Sequence, residues 1–279
     1  MNGGSNLSCT KQVLQEAINW IDVDINDIFE QKCPLKMLDW EEFKIKILKN
    51  NSIYEVVPDD FGPLDLNQNW KDLRKYIYKI LEKVAKTAET DFIRIIEVGS
   101  FKGLSTSFIG EACSNITEVY GKTCQIICVD TWLGSPEFYE FFGIDEPRNE
   151  YAHDLFLSFL NNMKLKGLDN IVYPLRLPSQ AAAHILHCYQ IQADVVFIDA
   201  DHDYNAVVRD IQLYYPLVRK DGIFMGHDYD WKGVKQAVQE FLEKKKSLVN
   251  FWDKVIYFFM LKEQEEAIFF NKRTKNIFR

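Results

Sequence analysis

Long hydrophobic runs are missing from this sequence. The longest purely apolar stretch, Val255 to Leu261, is far short of the ~20 residues that cross a bilayer, so no membrane association is expected. The residues Met1 to Asn6 are uncharged and no apolar stretch follows them, so no secretory signal is expected either. Glycine (13) and proline (8) are too sparse in 279 residues for a collagen-like or low-complexity chain. Basic residues are outnumbered, 33 Lys and Arg against 41 Asp and Glu. The formal charge of −8 argues against a general nucleic-acid binder. The six cysteines form no C-x-x-C pair, and Cys124 and Cys128 lie inside an apolar run. All six are expected as buried free thiols in a reducing compartment, which makes the cytoplasm the expected location.

What is present is ordinary globular chemistry. Apolar residues make up 47% and charged residues 27%, enough for a normal core in one large domain, or in one domain with an extension. The first 62 residues differ from the rest. Lys11 to Phe29 has the apolar spacing of an amphipathic helix, Leu38 to Leu48 suggests a second, and the turn-rich stretch Pro58 to Pro63 follows. This predicts an N-terminal helical extension over 1–62, acting as a lid or a homodimer arm, ahead of a main domain over 63–279.

In the main domain short β-branched runs alternate with helical patterns. Strands are predicted over 92–98, 125–130, 170–177, 193–199 and 222–226, with helices between them. Such alternation implies a parallel sheet with helices on both faces. Two last runs, 255–261 and 267–271, are joined by a link too short for a crossover helix, so they are expected to pair as an antiparallel hairpin. The predicted fold is α/β, a doubly wound, mostly parallel, seven-stranded Rossmann-like sheet.

Ligands of open α/β sheets bind beyond the carboxyl ends of the strands. Those ends read Glu97 to Gly103, Asp130-Thr131-Trp132, Leu177-Pro178-Ser179, Asp199 to His202, and Gly226 to Tyr229. Most carry acids or several polar groups. The first has Gly99 and Gly103 but Phe101 where a dinucleotide fingerprint needs glycine. Gly99 is expected to permit a sharp turn, and Gly103 to let a ligand approach the helix start. Glu97 lies in an apolar strand and needs a compensating partner if buried, which a ligand ammonium group would supply. Asp130 can accept the two hydroxyls of a ribose. A ligand with a ribose, a charged amino-acid part and no pyrophosphate fits this pair, and S-adenosylmethionine is such a ligand.

These residues carry a resemblance. Glu97-x-Gly99-x-x-x-Gly103 with Asp130 resembles class I S-adenosylmethionine-dependent methyltransferases. The runs Phe197 to Tyr204 and Gly222 to Tyr229, with Gly233-Val234, are similar to the small-molecule and sugar O-methyltransferase branch, which includes macrocin O-methyltransferase-like enzymes. The resemblance covers about residues 90 to 245. It implies that Glu97, Gly99, Ser100, Gly103 and Ser105 border the methionine part of the cofactor. Asp130 would hold the ribose, Thr131, Trp132 and Ser179 would lie near the adenine, and Asp199 would close the set. The acceptor would be a small molecule or glycan.

Metal-dependent relatives place one ligand at the Asp199 position and two more after the fifth strand. Here that pair reads His227-Asp228, so Asp199, His227 and Asp228 are the expected ligands of a divalent cation, Mg²⁺ or Mn²⁺. Both members of the pair can reach one site only if the chain turns between them. Asp199 is the first choice for general base or metal anchor, with His202 and His227 next. Asp201 is expected to cap the helix that starts near Tyr204. Two other readings compete: an N-methyltransferase, and a non-catalytic nucleoside-binding module of the same fold.

Overall fold

Successive residues of a strand face opposite sides of its sheet, and the first strand here separates Ile95 from Ile96 in that way. Ile95 joins one apolar cluster and Ile96 the other. The computed structural model describes residues 33, 37–66, 71–134, 149–245, 250–252 and 257–261. Its helices are α1 (Trp40–Lys46), α2 (Lys71–Thr87), α3 (Leu104–Tyr120), α4 (Asn149–Leu165), α5 (Ser179–Cys188), α6 (Tyr204–Tyr214) and α7 (Lys232–Lys245). The strands are β1 (Phe92–Val98), β2 (Thr123–Asp130), β3 (Val172–Arg176), β4 (Ala193–Ile198), β5 (Val218–Gly226), β6 (Asn250–Trp252) and β7 (Tyr257–Leu261).

The order across the sheet is β3-β2-β1-β4-β5-β7-β6. Five strands, β3 to β5 in that order, run parallel. All six residues of β4 are buried, as a strand covered on both faces requires. Helices α1, α5, α6 and α7 supply Phe43, Leu186, Tyr214 and Val238 to one face. On the other, α2, α3 and α4 supply Leu81, Ile116 and Phe159. Residues 40–57 add Phe43, Ile47 and Leu48 to the first cluster and Ile53, Tyr54 and Val57 to the second. The helix expected over 11–29 lies outside the described residues.

The run 267–271, expected to pair with 255–261, lies outside the described residues. β7 runs antiparallel to β5 on one side and to Asn250–Trp252 on the other. Three residues are too few to show alternation, so β6 left no signal in the sequence. One expectation needs correction: the cysteines are not all free. Cys33 is bonded to Cys188 and Cys113 to Cys124, while Cys128 is free and buried. Cys113 and Cys124 sit on α3 and β2, whose packing brings their Cα atoms to 5.9 Å. No helix among the described residues is long and apolar enough to cross a membrane.

Candidate functional site

The strand order reverses between β1 and β4, and their carboxyl ends are in direct contact. The Asp199 backbone N–H donates to the Val98 carbonyl at 2.8 Å. Gly99 has φ +88°, and a Cβ on it would lie 2.0 Å from the Asp199 carbonyl oxygen. Glycine is therefore required twice at this position, by conformation and by space. Gly103 has the same φ, but the space a side chain would need is filled by Met163 and Phe159 of α4. This glycine permits the close packing of α4 against the turn.

Glu97 is fully buried beneath this turn. Its Oε2 accepts from Ser100 Oγ at 2.8 Å, from Thr106 Oγ1, and from the Cys128 thiol at 3.4 Å. Burial pushes its carboxyl above the usual range, against the pull of the Ser105, Thr106 and Ser100 hydroxyls and the Cys128 thiol. Its Oε1 accepts no hydrogen bond in the structure. An orphaned buried carboxylate oxygen suits a ligand that brings a positive charge or a donor, as the amino-acid end of S-adenosylmethionine does. Ser105 is buried in the first turn of α3 directly after Gly103.

Asp130 has a backbone-holding role that its position alone did not reveal. Its Oδ2 accepts the N–H groups of Ser100 (3.0 Å) and Phe101 (2.9 Å), and its Oδ1 that of Trp132 (2.7 Å). The carboxylate thus clasps the β1 turn to the end of β2. Burial raises its pKa, and these N–H bonds oppose the rise. Trp132 is 1% exposed, packs against Phe156 and Phe159, and donates Nε1–H to the Phe101 carbonyl. It is a core residue bracing the turn. Thr131 Oγ1 accepts from Leu133 N at 3.2 Å. Ser179 Oγ donates to the buried Asp210 at 2.6 Å, so its hydroxyl is already engaged.

The second half of the site is a knot of acids and imidazoles at the ends of β4 and β5. His227 extends β5, its N–H donating to the Ile198 carbonyl at 3.0 Å. Asp228 then takes φ +54°, and the chain turns. That turn brings both side chains to one side. His227 Nδ1 lies 2.8 Å from Asp228 Oδ2 and 3.5 Å from Asp199 Oδ1, while His202 Nε2 lies 2.9 Å from Asp228 Oδ2. Burial raises Asp199 to a pKa of about 6, with His227 pulling down and Asp228 pushing up. Burial would raise Asp228 too, but hydrogen bonds from His202 and His227 hold it well below the carboxylate range. Burial alone would lower His227, and the carboxylates of Asp199 and Asp228 raise it instead.

The residues that could hold a cation differ by one from the expected set. Asp199, His202 and Asp228 each offer a ligand atom, all within 4.8 Å of one another. His227, 6% exposed and in contact with both carboxylates, is not one of the three. Asp201 accepts from Asp203 N at 2.8 Å and is not the cap. Asp203 is, accepting from Asn205 N at 2.9 Å.

Sequence reasoning missed two residues. Asn162 is fully buried; its Nδ2 donates to the carbonyls of Asp65 (2.9 Å) and Lys102 (2.8 Å), fastening the glycine turn to the segment before α2. Its place in an amphipathic helix gave no sign of that. Trp231 stacks on His202, with ring centroids 4.5 Å apart and planes at 22°. Its nearness to His227-Asp228 in the sequence was the one available signal.

A methyltransferase-domain family model matches residues 96–229. An uncharacterized protein, R132, of Acanthamoeba polyphaga mimivirus is 28% identical over 152 residues, which are 54% of this chain and 58% of that protein. The match therefore spans a little over half the length of that curated relative. Among solved structures, the calicheamicin methyltransferase CalS11 has a TM-score of 0.51 at 10% identity, covering 94% of this chain and 95% of that one. The O-methyltransferase NovP has a TM-score of 0.48 at 16% identity, covering 67% and 78%. At 10% identity the likeness to CalS11 speaks to the fold alone. Residues 96–229 of this chain, which hold the glycine turn and the acid–imidazole knot together, are the part that matches the methyltransferase-domain family.

Proposed function

We propose that this methyltransferase is O-directed and acts on a hydroxyl of a sugar, glycan or other small molecule. The observation that carries the reading is the meeting of Asp199, His202, His227 and Asp228 beside the glycine turn, with Asp199 bonded to the end of β1. The acceptor class fits an acidic, imidazole-bearing site better than a nucleic-acid backbone, which would need cations. CalS11, whose fold this chain shares, is itself described as a calicheamicin methyltransferase.

S-adenosylmethionine supplies a methyl group on a sulfonium centre. The protein has to align an acceptor oxygen behind that methyl and take its proton. Alignment alone is worth about 7–11 kcal/mol, and a positioned base adds about 10²–10⁴-fold. Asp199 has the raised pKa of about 6 that suits a base working near neutral pH. His202 and His227 are the next candidates to receive the proton. Asp228, held ionised between the two imidazoles, orients both. Glu97 would meet the amino group of the cofactor, and the Ser100–Gly103 turn would border its methionine part.

The donor set also fits a divalent cation. Asp199, His202 and Asp228 would hold it, and a cation there would lower the acceptor hydroxyl's pKa and orient it. One imidazole among two carboxylates shifts preference from Mg²⁺ toward Mn²⁺, Fe²⁺ or Zn²⁺.

The test has two stages. Calorimetry should show binding of S-adenosylmethionine and S-adenosylhomocysteine and none of NAD. Isotope-labelled methyl transfer is then followed on a panel of glycans, phenols and other hydroxylated small molecules. Transfer to nitrogen acceptors only, or cofactor binding with no transfer to any acceptor, would sink the O-methyltransferase reading. The latter outcome favours a non-catalytic nucleoside-binding module.

A further inference from the structure

We propose that Trp231 is a positioning residue that locks the imidazole of His202 in the orientation its place in the site demands. The kinetic part of this proposal rests on the methyl-transfer reading above; the structural part does not.

The indole lies on the imidazole face at 4.5 Å between centroids, with only 22° between the planes. Trp231 is nevertheless 46% exposed, the fraction of a surface side chain, so burial in the core does not explain its placement. The backbone does. Trp231 N–H donates to the Asp228 carbonyl at 2.9 Å, closing the turn that follows β5. Its own carbonyl accepts from Lys235 N at 2.9 Å, which ties it to the start of α7. The same turn therefore carries Asp228, which bonds to His202 at the ring edge, and Trp231, which covers the ring face.

The backbone of His202 is held from the same side. A Cβ on Gly233 would lie 2.3 Å from the His202 carbonyl oxygen, so the first turn of α7 presses on the loop after β4. His202 is thus restrained at three points: its carbonyl by α7, its Nε2 by Asp228, and its ring face by Trp231. A hydrogen bond at Nε2 alone leaves the ring able to swing about that bond. A stacked ring removes this freedom, because rotation would lift one face off the indole. A base or ligand nitrogen is useful only when its lone pair is held in one direction, and misplacement by about 1 Å can cost about 10²-fold in rate.

The experiment combines a spectroscopic and a kinetic reading on Trp231→Ala and Trp231→Phe. With only five histidines in the chain, isotope-labelled histidine gives few resonances, and loss of one in His202→Gln assigns it. In the intact protein the indole ring current should shift the His202 ring protons upfield. Trp231→Ala should return them toward the values of a free imidazole, and Trp231→Phe should retain part of the shift. In methyl transfer, Trp231→Ala should lower kcat by about 10–100-fold with little change in KM for S-adenosylmethionine, and Trp231→Phe should restore most of it. Calorimetric affinity for S-adenosylhomocysteine should stay the same in both variants, which also verifies that they fold.

Two results overturn the proposal. One is His202 ring protons that do not move in Trp231→Ala. The other is a clear resonance shift with wild-type kcat. Failure of the intact protein to methylate any acceptor would instead strike the functional reading, and the resonances alone would then decide whether Trp231 fixes His202.

Discussion

His227 Nδ1 and Asp228 Oδ2 stand 2.8 Å apart although the two residues are consecutive at a strand end. In extended backbone their side chains would leave on opposite faces of the sheet. The left-handed conformation of Asp228, φ +54°, folds the second side chain back toward the first. A carboxylate is thereby placed within reach of two imidazoles, His227 on its own strand and His202 from the loop after β4.

The carboxyl of Asp199 is where chemistry and stability should oppose each other. Its pKa rises from 3.8 to about 6 on folding, so the folded state holds a proton that the unfolded chain has released. Stability should fall as pH rises from about 4 to 6 and then level off. The ionised form costs up to roughly 3 kcal/mol above that window. Asp199→Asn should therefore raise the melting temperature at pH 8 and leave it nearly unchanged at pH 4. Turnover of the same variant should fall at least ~10²-fold while S-adenosylhomocysteine affinity changes little. Wild-type turnover would move the base elsewhere, with His202 next.

Removing the Asp130 carboxylate should do more than weaken ribose binding. Three backbone N–H groups lose their acceptor, two of them in the glycine turn after β1. Asp130→Ala should reduce cofactor affinity by roughly 1.5–3 kcal/mol, the scale of a hydrogen bond to a charged group. It should also lower the unfolding midpoint of the cofactor-free protein. A loss of affinity with an unchanged midpoint would mean that the clasp does not hold the turn.

The two glycines of the β1 turn should tolerate alanine to different degrees. At Gly99 the new Cβ would meet backbone, 2.0 Å from the Asp199 carbonyl oxygen, which cannot give way without moving β4. At Gly103 it would meet the end of Met163, a flexible side chain, at 2.5 Å. Both also suffer the positive φ. Gly103→Ala is expected to cost about 1–3 kcal/mol in urea unfolding, and Gly99→Ala more. The reverse order would contradict the packing described.

For the cation, titration with Mn²⁺ in a calorimeter should separate the two histidines. His202→Ala removes a donor of the group and should abolish most of the heat of binding, whereas His227→Ala should weaken it less. Exhaustive chelation should lower methyl transfer, with Mn²⁺ restoring it better than Mg²⁺. Full activity in chelator would leave Asp199 and a histidine as a metal-free acid–base pair.

Much of this protein is legible in its amino-acid sequence. The alternation of β-branched runs with helical periods carries the five parallel strands, because side-chain periodicity is a local property that needs no partner to be visible. Glu97, Gly99, Asp130, Asp199 and Asp228 stand out for a similar reason: acids and glycines at the ends of apolar strands conflict with their surroundings unless a turn or a ligand accounts for them. What only the tertiary structure decided involves residues far apart in the chain. Cys33 and Cys188, separated by 155 residues, become a bonded pair only after α5 is in place. Trp132 is core because Phe156 and Phe159 pack on it from α4. His202, from the loop after β4, meets Asp199 and Asp228 in the candidate cation group only in the folded chain. Sequence determines which groups stand at the strand ends, since that follows from short-range pattern. The directions in which those groups point are settled by the contacts of the assembled sheet.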